Sequence, residues 1–346
     1  MTAWKKGRNF LIVLGACYLG FLACLLQPAI QTNVFYLHRI RWSTRDLLYP
    51  EKYGFDGKRA RSLFIEESIH AWHIAPLVRT TDNAANMMNK DQQLIIYLHG
   101  TAGTIAFPHR LTSYRIFTAL PNMHVLAIDY RGFGLSQGTP SESGLIEDGI
   151  AAVEWAIREG FSKENIILYG QSLGSAVAIG VAHELATRSV QPFEIGKVVT
   201  VAAFESGNEI IKTYRLGGVI PILEPLRTYP VVQRWFIGKL KHPWDSLARV
   251  QDLAAKTKIS LTFGHAITDY EIPKEHSERL FQSAVDASLL VDGIAATATT
   301  KKTEDGGFER RFGNRFLYRS VYWGGHNQVQ WDDKLLEDIQ QMNGAE

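Results

Sequence analysis

The feature that most constrains this chain is a five-residue string, Gly170-Gln171-Ser172-Leu173-Gly174, lodged between an apolar run and an apolar helix. Ile166-Ile-Leu-Tyr169 before it is a continuous apolar run of the kind that forms a strand buried on both faces. Ala176 to Leu185 after it reads as a helix. Small flanking glycines at such a junction permit a strained strand-to-helix turn that pushes a serine hydroxyl into the open. Ser172 is therefore the candidate nucleophile, and the chain is expected to be an α/β protein.

Other runs repeat the same rhythm. Leu94 to Leu98 ends in His99-Gly100, Val125 to Ile128 ends in Asp129-Tyr-Arg-Gly132, and Val198 to Val201 and Ile259 to Phe263 follow. Between the second and third runs, Pro140-Ser-Glu-Ser143 caps a stretch in which Ile146, Ile150, Val153 and Ile157 recur at helical spacing. Strands alternating with helices imply a doubly wound, mostly parallel sheet. Two segments break the rhythm. From about 205 to 255, apolar residues such as Leu216, Ile220, Ile222, Leu223, Val231, Val232, Trp235, Phe236 and Ile237 lie among glycines and prolines, which reads as a helical cap. From about 286 to 313 the chain is polar and turn-rich, the composition of a mobile surface insertion.

A serine hydroxyl is barely nucleophilic at neutral pH; it needs a base within hydrogen-bond reach and a third group that orients the base. Behind an elbow of this kind the partners follow in the order serine, acid, histidine. Asp269 stands on the loop after the Ile259 run, and His326 follows Gly324-Gly325 after an apparent last strand, Arg315 to Trp323. These three are the expected triad. His265 is an alternative base, and Glu271 or Glu205 an alternative acid; His99, His109, His183 and His242 read as structural or exposed. Acyl transfer also needs donors for the developing oxyanion. The backbone amides of Leu173 and Thr101 are expected to supply them, the latter from His99-Gly-Thr-Ala-Gly103. Histidine spacing points to no metal, and no cofactor is expected.

With 346 residues and 46% hydrophobic composition, one large core needs no second domain. Lys+Arg 37 against Asp+Glu 35 provides no basic field for nucleic acid. Both cysteines, Cys17 and Cys24, lie in the apolar stretch Phe10 to Leu26, so the rest of the chain has no thiol for a disulfide, a zinc finger or a cysteine nucleophile. No Asn-x-Ser/Thr sequon occurs. The uncharged stretch is long enough to span a thin bilayer, and Gln27-Pro28-Ala29 is a poor cleavage site, so an anchor is expected in preference to a cleaved signal. Lys5, Lys6 and Arg8 favour a cytosolic N-terminus with the catalytic domain across the membrane, although Arg39 and Arg41 pull the other way. The expected organisation is a cytosolic terminus at 1–9, a transmembrane signal anchor at 10–26, a linker with first strands at 27–90, and the catalytic domain at 91–346.

With those residues placed, the sequence resembles the α/β-hydrolase-domain lipases of the abhydrolase-domain-twelve group. The resemblance rests on His99 to Gly103, Asp129-Tyr-Arg-Gly-Phe-Gly134, Gly138-Thr-Pro-Ser-Glu142, Gly170 to Gly174 and His265-Ala-Ile-Thr-Asp269, and resumes near His326. It implies the α/β-hydrolase fold, an N-terminal anchor, a luminal catalytic domain in the endoplasmic reticulum, lysophosphatidylserine or monoacylglycerol substrates, and the triad Ser172, Asp269 and His326. Two positions depart from the group: Thr268 replaces a second acidic residue, and the stretch before His326 is long. The bud-emergence-forty-six type hydrolases share the anchor and much of the same string. An acyltransferase signature, Asp five residues after the histidine, is missing, because Trp331 occupies that position.

An anchored domain works beside a bilayer, where long acyl chains concentrate by about 0.8 kcal/mol per methylene. A lipid ester is the expected substrate and the membrane the expected partner. A peptidase or amidase with the same triad, and a non-catalytic membrane scaffold, are the competing readings.

Overall fold

The protein is seen in a computed structural model that describes residues 2–40, 46–77, 92–213, 215–216, 220–221, 223–292 and 298–340. Helix α1 (Thr2–Leu25) is followed by α2 (Pro28–Tyr36), then by a hairpin of β1 (Ala60–Ile65) and β2 (Ile69–Ile74). The alternating body comprises β3 (Gln93–Leu98), α3 (Pro108–Ala119), β4 (Met123–Ile128), α4 (Glu142–Arg158), β5 (Ile166–Gln171), α5 (Leu173–Thr187) and β6 (Lys197–Val201). Next come α6 (Gly207–Thr213), the short pair β7 (Arg215–Leu216) and β8 (Ile220–Pro221), α7 (Pro230–Ile237), α8 (Ser246–Lys256) and β9 (Ser260–Ala266). The chain ends with α9 (Glu275–Asp292), β10 (Thr299–Lys302), β11 (Phe308–Phe312), β12 (Phe316–Val321), α10 (Gly325–Gln328) and α11 (Asp333–Gln340).

Ten strands form one sheet in the order β1-β2-β4-β3-β5-β6-β9-β12-β11-β10. The central six run parallel, and antiparallel strands extend both edges. The apolar runs become central strands because every residue needs a dry face. Leu94, Ile96 and Leu98 pack on one side with α4, α5, α8 and α9. Ile95 and Tyr97 pack on the other with Tyr114 and Phe117 of α3 and Leu335 and Ile339 of α11. Full burial of each such side chain contributes roughly 1.5–3 kcal/mol. Ser141 caps α4 through its hydroxyl, which accepts from the Gly144 amide at 3.1 Å, and Ile146 and Val153 face the core.

Neighbour order reverses at β3, which has β4 on one side and β5 on the other. Such a switch opens a crevice beyond the carboxyl ends of the strands. The loops after β3 and β5 meet there.

Three expectations change in detail. Part of the stretch read as a linker folds as α2, while its soft portion, 80–91, lies outside the described residues. The segment at about 286–313 contains the end of α9 and the β10–β11 hairpin on the sheet edge; 293–297 lie outside the described residues. Lysines and arginines that blunt an edge strand against further pairing also make it read as loop. Within 205–255, α8 belongs to the helix layer, with Val250 and Leu253 in the main core. Leu223, Leu226, Phe236 and Ile237 instead pack with Leu22 and Leu25 of α1. The side chains of Leu216, Ile220 and Ile222, read as part of that cap, lie outside the described residues.

Candidate active site

Ser172 stands between β5 and α5 with φ 56° and ψ −119°, a conformation that L residues rarely adopt. Close packing forces it. A Cβ on Gly170 would lie 2.1 Å from the Gly174 carbonyl oxygen, and one on Gly174 would lie 1.8 Å from that of Leu98. Only glycine lets α5 start this close to β3 and β5. The Ser172 amide donates to Val201 O at 2.9 Å, which ties the turn to β6.

His326 lies on α10, and its Nδ1 is 2.8 Å from Asp269 Oδ2. Asp269 Oδ1 accepts from the amides of Glu271 and Ile272 at 2.9 and 3.0 Å. Burial opposes its charge, but the His326 and His265 partners outweigh burial and hold the carboxyl well below the usual range. For His326, burial works to lower the pKa, yet the Asp269 charge, its hydrogen bond and Glu271 leave it raised above the ordinary histidine value. With Nδ1–H donating to Asp269, Nε2 is the nitrogen left for the serine side. Ser172 and His326 line the same cavity, about 800 Å3 in volume.

The competing residues are engaged elsewhere. His265 is fully buried, with Nδ1 on Ser277 Oγ at 2.7 Å and Nε2 on Ile272 O at 2.9 Å, and supports Asp269 from behind at 3.3 Å. Glu205 pairs with His276 and Arg279. Glu271 lines the cavity and reaches Asp269 through its amide. His183 pairs with Asp252, and His99 is buried beside Tyr130 and Phe133. His109 and His242 line the cavity; burial and Arg110 push His109 down to about 3, and burial lowers His242. Asp332, near the vacant acyltransferase position, is bound by Arg319. A second Ser–His–Asp string, Ser62–His70–Asp129, joins β1, β2 and the loop after β4, with His70 and Asp129 fully buried. Ser172 and His326 line the cavity, whereas Ser62, His70 and Asp129 do not.

Thr101 and Leu173 also line the cavity. The next two amides of the Thr101 loop are taken by the chain just after α1: Ala102 donates to Tyr36 O and Gly103 to Ile40 O, both at 3.0 Å.

Comparison with known proteins fits this geometry. The α/β-hydrolase-fold family profile matches residues 93–218. Identity is 32% over 310 residues with the lysophosphatidylserine lipase ABHD12 of Rattus norvegicus, covering 84% of this chain and 73% of that one. It is 29% over 300 residues with the lysophosphatidylserine lipase ABHD12 of Xenopus tropicalis, covering 84% and 75%. The chain belongs to the ABHD12 family of α/β hydrolases. Among solved structures, an α/β hydrolase from Vibrio vulnificus superposes with TM-score 0.59 at 16% identity, over 90% of this chain and 94% of that one, and so shares the fold.

Several residues of this hydrolase site escaped the sequence reading. Arg110, buried on α3, donates to Thr104 O at 2.8 Å, Gly100 O at 3.1 Å, Ala102 O at 2.9 Å and Thr101 O at 3.4 Å, so one guanidinium gathers the whole loop. Gln171 Nε2 donates to His326 O at 3.1 Å and Asn327 Oδ1 at 3.3 Å, joining the serine turn to the histidine turn. Thr268 Oγ1, in the group's acidic position, accepts from the Gly325 amide at 3.3 Å. Gln171 was visible inside the elbow string, but nothing local marks what its amide touches. Among the described residues no group of three or more His, Cys, Asp or Glu could hold a metal ion.

Proposed function

We propose that this chain is a membrane-anchored serine hydrolase that cleaves carboxylic esters of lipids, lysophospholipid or monoacylglycerol, with Ser172 as nucleophile, His326 as base and Asp269 as orienting acid. The observation that carries the reading is that His326, paired with Asp269 at 2.8 Å, lines the same apolar cavity as the strained Ser172. His326 Nε2 takes the Ser172 proton as Oγ attacks the ester carbonyl carbon. The amides of Leu173 and Thr101 receive the oxyanion. His326 then returns the proton to the departing alcohol, leaving an acyl-enzyme, and water enters by the same route in reverse. Asp269 stays ionised throughout, so the imidazolium forms beside a fixed negative charge.

Family membership supports a lipid ester as substrate, as do the apolar walls of a cavity within the usual range of about 300–1,000 Å3. Helix α1 is apolar and membrane-length from Trp4 to Leu25 and supports the anchor. Lys5, Lys6 and Arg8 in its first turns, before the uncharged stretch from Phe10, support placing the catalytic domain on the luminal side of the endoplasmic reticulum. Full-length protein in detergent is expected to take up a fluorophosphonate label that is absent in Ser172→Ala, and to release fatty acid from one of the two lipid classes. Labelling without lipid turnover, but with cleavage of short peptides, would replace the lipase reading by the peptidase one. Folded protein that takes no label would be a scaffold.

A further inference from the structure

The cavity that holds Ser172 and His326 has an unusual wall. Leu14, Cys17, Tyr18, Phe21 and Leu25 of α1 line it, an i, i+3, i+4, i+7, i+11 stripe along one helix face. These residues belong to the same helix whose apolar span runs from Trp4 to Leu25.

Helix α1 is docked. Leu22 and Leu25 are buried against Leu223, Leu226, Phe236 and Ile237. Gln31 of α2 clamps the following turn to the cap, donating to Lys239 O at 3.1 Å and accepting from the Lys241 amide at 3.0 Å. Through Tyr36 and Ile40 the same segment holds the Thr101 loop. Anchor, cap and oxyanion loop are thus one connected body.

For a helix that spans a bilayer, length sets the α1 side of the cavity wall at membrane depth. Phe10 to Val13 stand exposed, but Trp4 to Val13 alone extends only about 15 Å, half of a hydrocarbon core of about 30 Å. A full span needs Leu14 to Leu25 as well, and that half carries the cap. Cap residues agree: Val231, Val232 and Trp235 of α7 expose 70, 48 and 55% of their surface, a cluster unsuited to water but suited to acyl chains.

We propose that the anchor helix is itself a wall of the substrate site: the acyl chain enters sideways from one leaflet, between α1 and the cap, and lies along the Leu14–Cys17–Tyr18–Phe21–Leu25 stripe. This rests on the lipid-hydrolase reading and extends it to the route and the chain-selecting residues. The ester never crosses open water, and the head group stays at the interface while the chain remains in an apolar medium throughout.

Two experiments on the full-length chain in lipid nanodiscs test it. Cys17→Trp fills the stripe and lowers the ratio of long-chain to short-chain ester kcat/KM about tenfold or more. Leu19→Trp, away from the stripe, leaves the ratio unchanged; equal ratios in Cys17→Trp and wild type would overturn the proposal. The second experiment needs no turnover. Ser172→Ala protein is photolabelled with an ether-linked lysophosphatidylserine carrying a mid-chain diazirine, and the adducts are mapped by mass spectrometry. Adducts on the stripe are expected to fade under excess unlabelled ether lipid while those on Leu11 and Leu19 persist. If wild type hydrolyses no lipid yet stripe adducts compete away, the wall stands and the hydrolase reading fails. Stripe adducts that are absent, or that resist competition as Leu11 and Leu19 do, sink the wall whatever the enzyme does.

Discussion

Arg110→Lys tests whether the proposed oxyanion loop is positioned by one buried charge. The guanidinium reaches four loop carbonyls from two nitrogens, at 2.8 to 3.4 Å. Lysine keeps the charge but offers one compact nitrogen, which cannot serve Thr104 and Ala102 together. A hydrogen bond to a charged donor contributes about 1.5–3 kcal/mol net, so two lost contacts leave the loop roughly 3–6 kcal/mol short of the strength that holds it. A loop displaced by about 1 Å reduces the rate on the order of 100-fold, and outright loss of one oxyanion donor reduces kcat by about 100- to 1,000-fold. The expected result is a fall of about 100-fold in kcat, roughly 2.7 kcal/mol, with KM changed less than about threefold. Ester turnover is read across pH on protein whose cooperative melt shows it folded. The acid limb of kcat/KM stays in place, because the groups that set the His326 pKa are untouched. A folded variant with kcat within about threefold of wild type would refute the positioning role, and so would a low kcat accompanied by a displaced acid limb.

Glu271 helps raise the His326 pKa, and the base works only when neutral. Activity is therefore lost as pH falls through a point above the ordinary histidine value, and Glu271→Gln moves that acid limb of kcat/KM to lower pH; an upward shift, or none, contradicts the assignment. Asp269→Asn keeps the shape but reverses the hydrogen-bond pattern at Nδ1, so kcat falls about 10,000-fold while substrate still binds; a loss under about tenfold would point to another acid. Gly324 has φ 100°, and a Cβ there would lie 2.6 Å from the Val329 amide nitrogen. Gly324→Ala costs about 1–3 kcal/mol in melting and also displaces His326, lowering kcat. Gly313→Ala, at φ 53° with nothing near its Cβ, lowers stability alone; equal kcat in the two variants removes the turn's role.

Much of the candidate site was legible because its residues stand in local strings at strand ends. The elbow needs two glycines flanking a serine after an apolar strand, and the order of acid and histidine follows from the topology. Residues acting across the fold left no such trace. Arg110 sits in an ordinary helical Pro-His-Arg, and only the path of the Thr101 loop around it makes it central. Gln31 reads as an ordinary polar residue until Lys239 and Lys241, more than two hundred positions on, fold against it. Charge misled in the opposite sense at β10 and β11, where edge lysines and arginines read as loop. In α1 the difficulty is degeneracy: a stripe that lines a cavity and a stripe that faces lipid have the same composition.

The surroundings of the two buried charges near Ser172 explain how the site offsets the desolvation cost of holding them. Asp269 is surrounded by two backbone amides and two imidazoles, and Arg110 by four backbone carbonyls, so each charge is met by groups already oriented by the fold. In the proposed mechanism the carboxylate faces the imidazole, where positive charge would develop, while the guanidinium stiffens the loop that would receive negative charge. Neither group needs to move during reaction, so the reorganisation that water would require is largely complete before the substrate arrives. Since Ala102 and Gly103 of that loop also donate to the chain leaving α1, the seating of the anchor bears directly on oxyanion geometry. Truncating the chain before Pro28 would thus remove more than membrane affinity: Tyr36 and Ile40 would remain, but without Leu22 and Leu25 seated on the cap the segment that carries them is expected to hold its side of the loop less firmly.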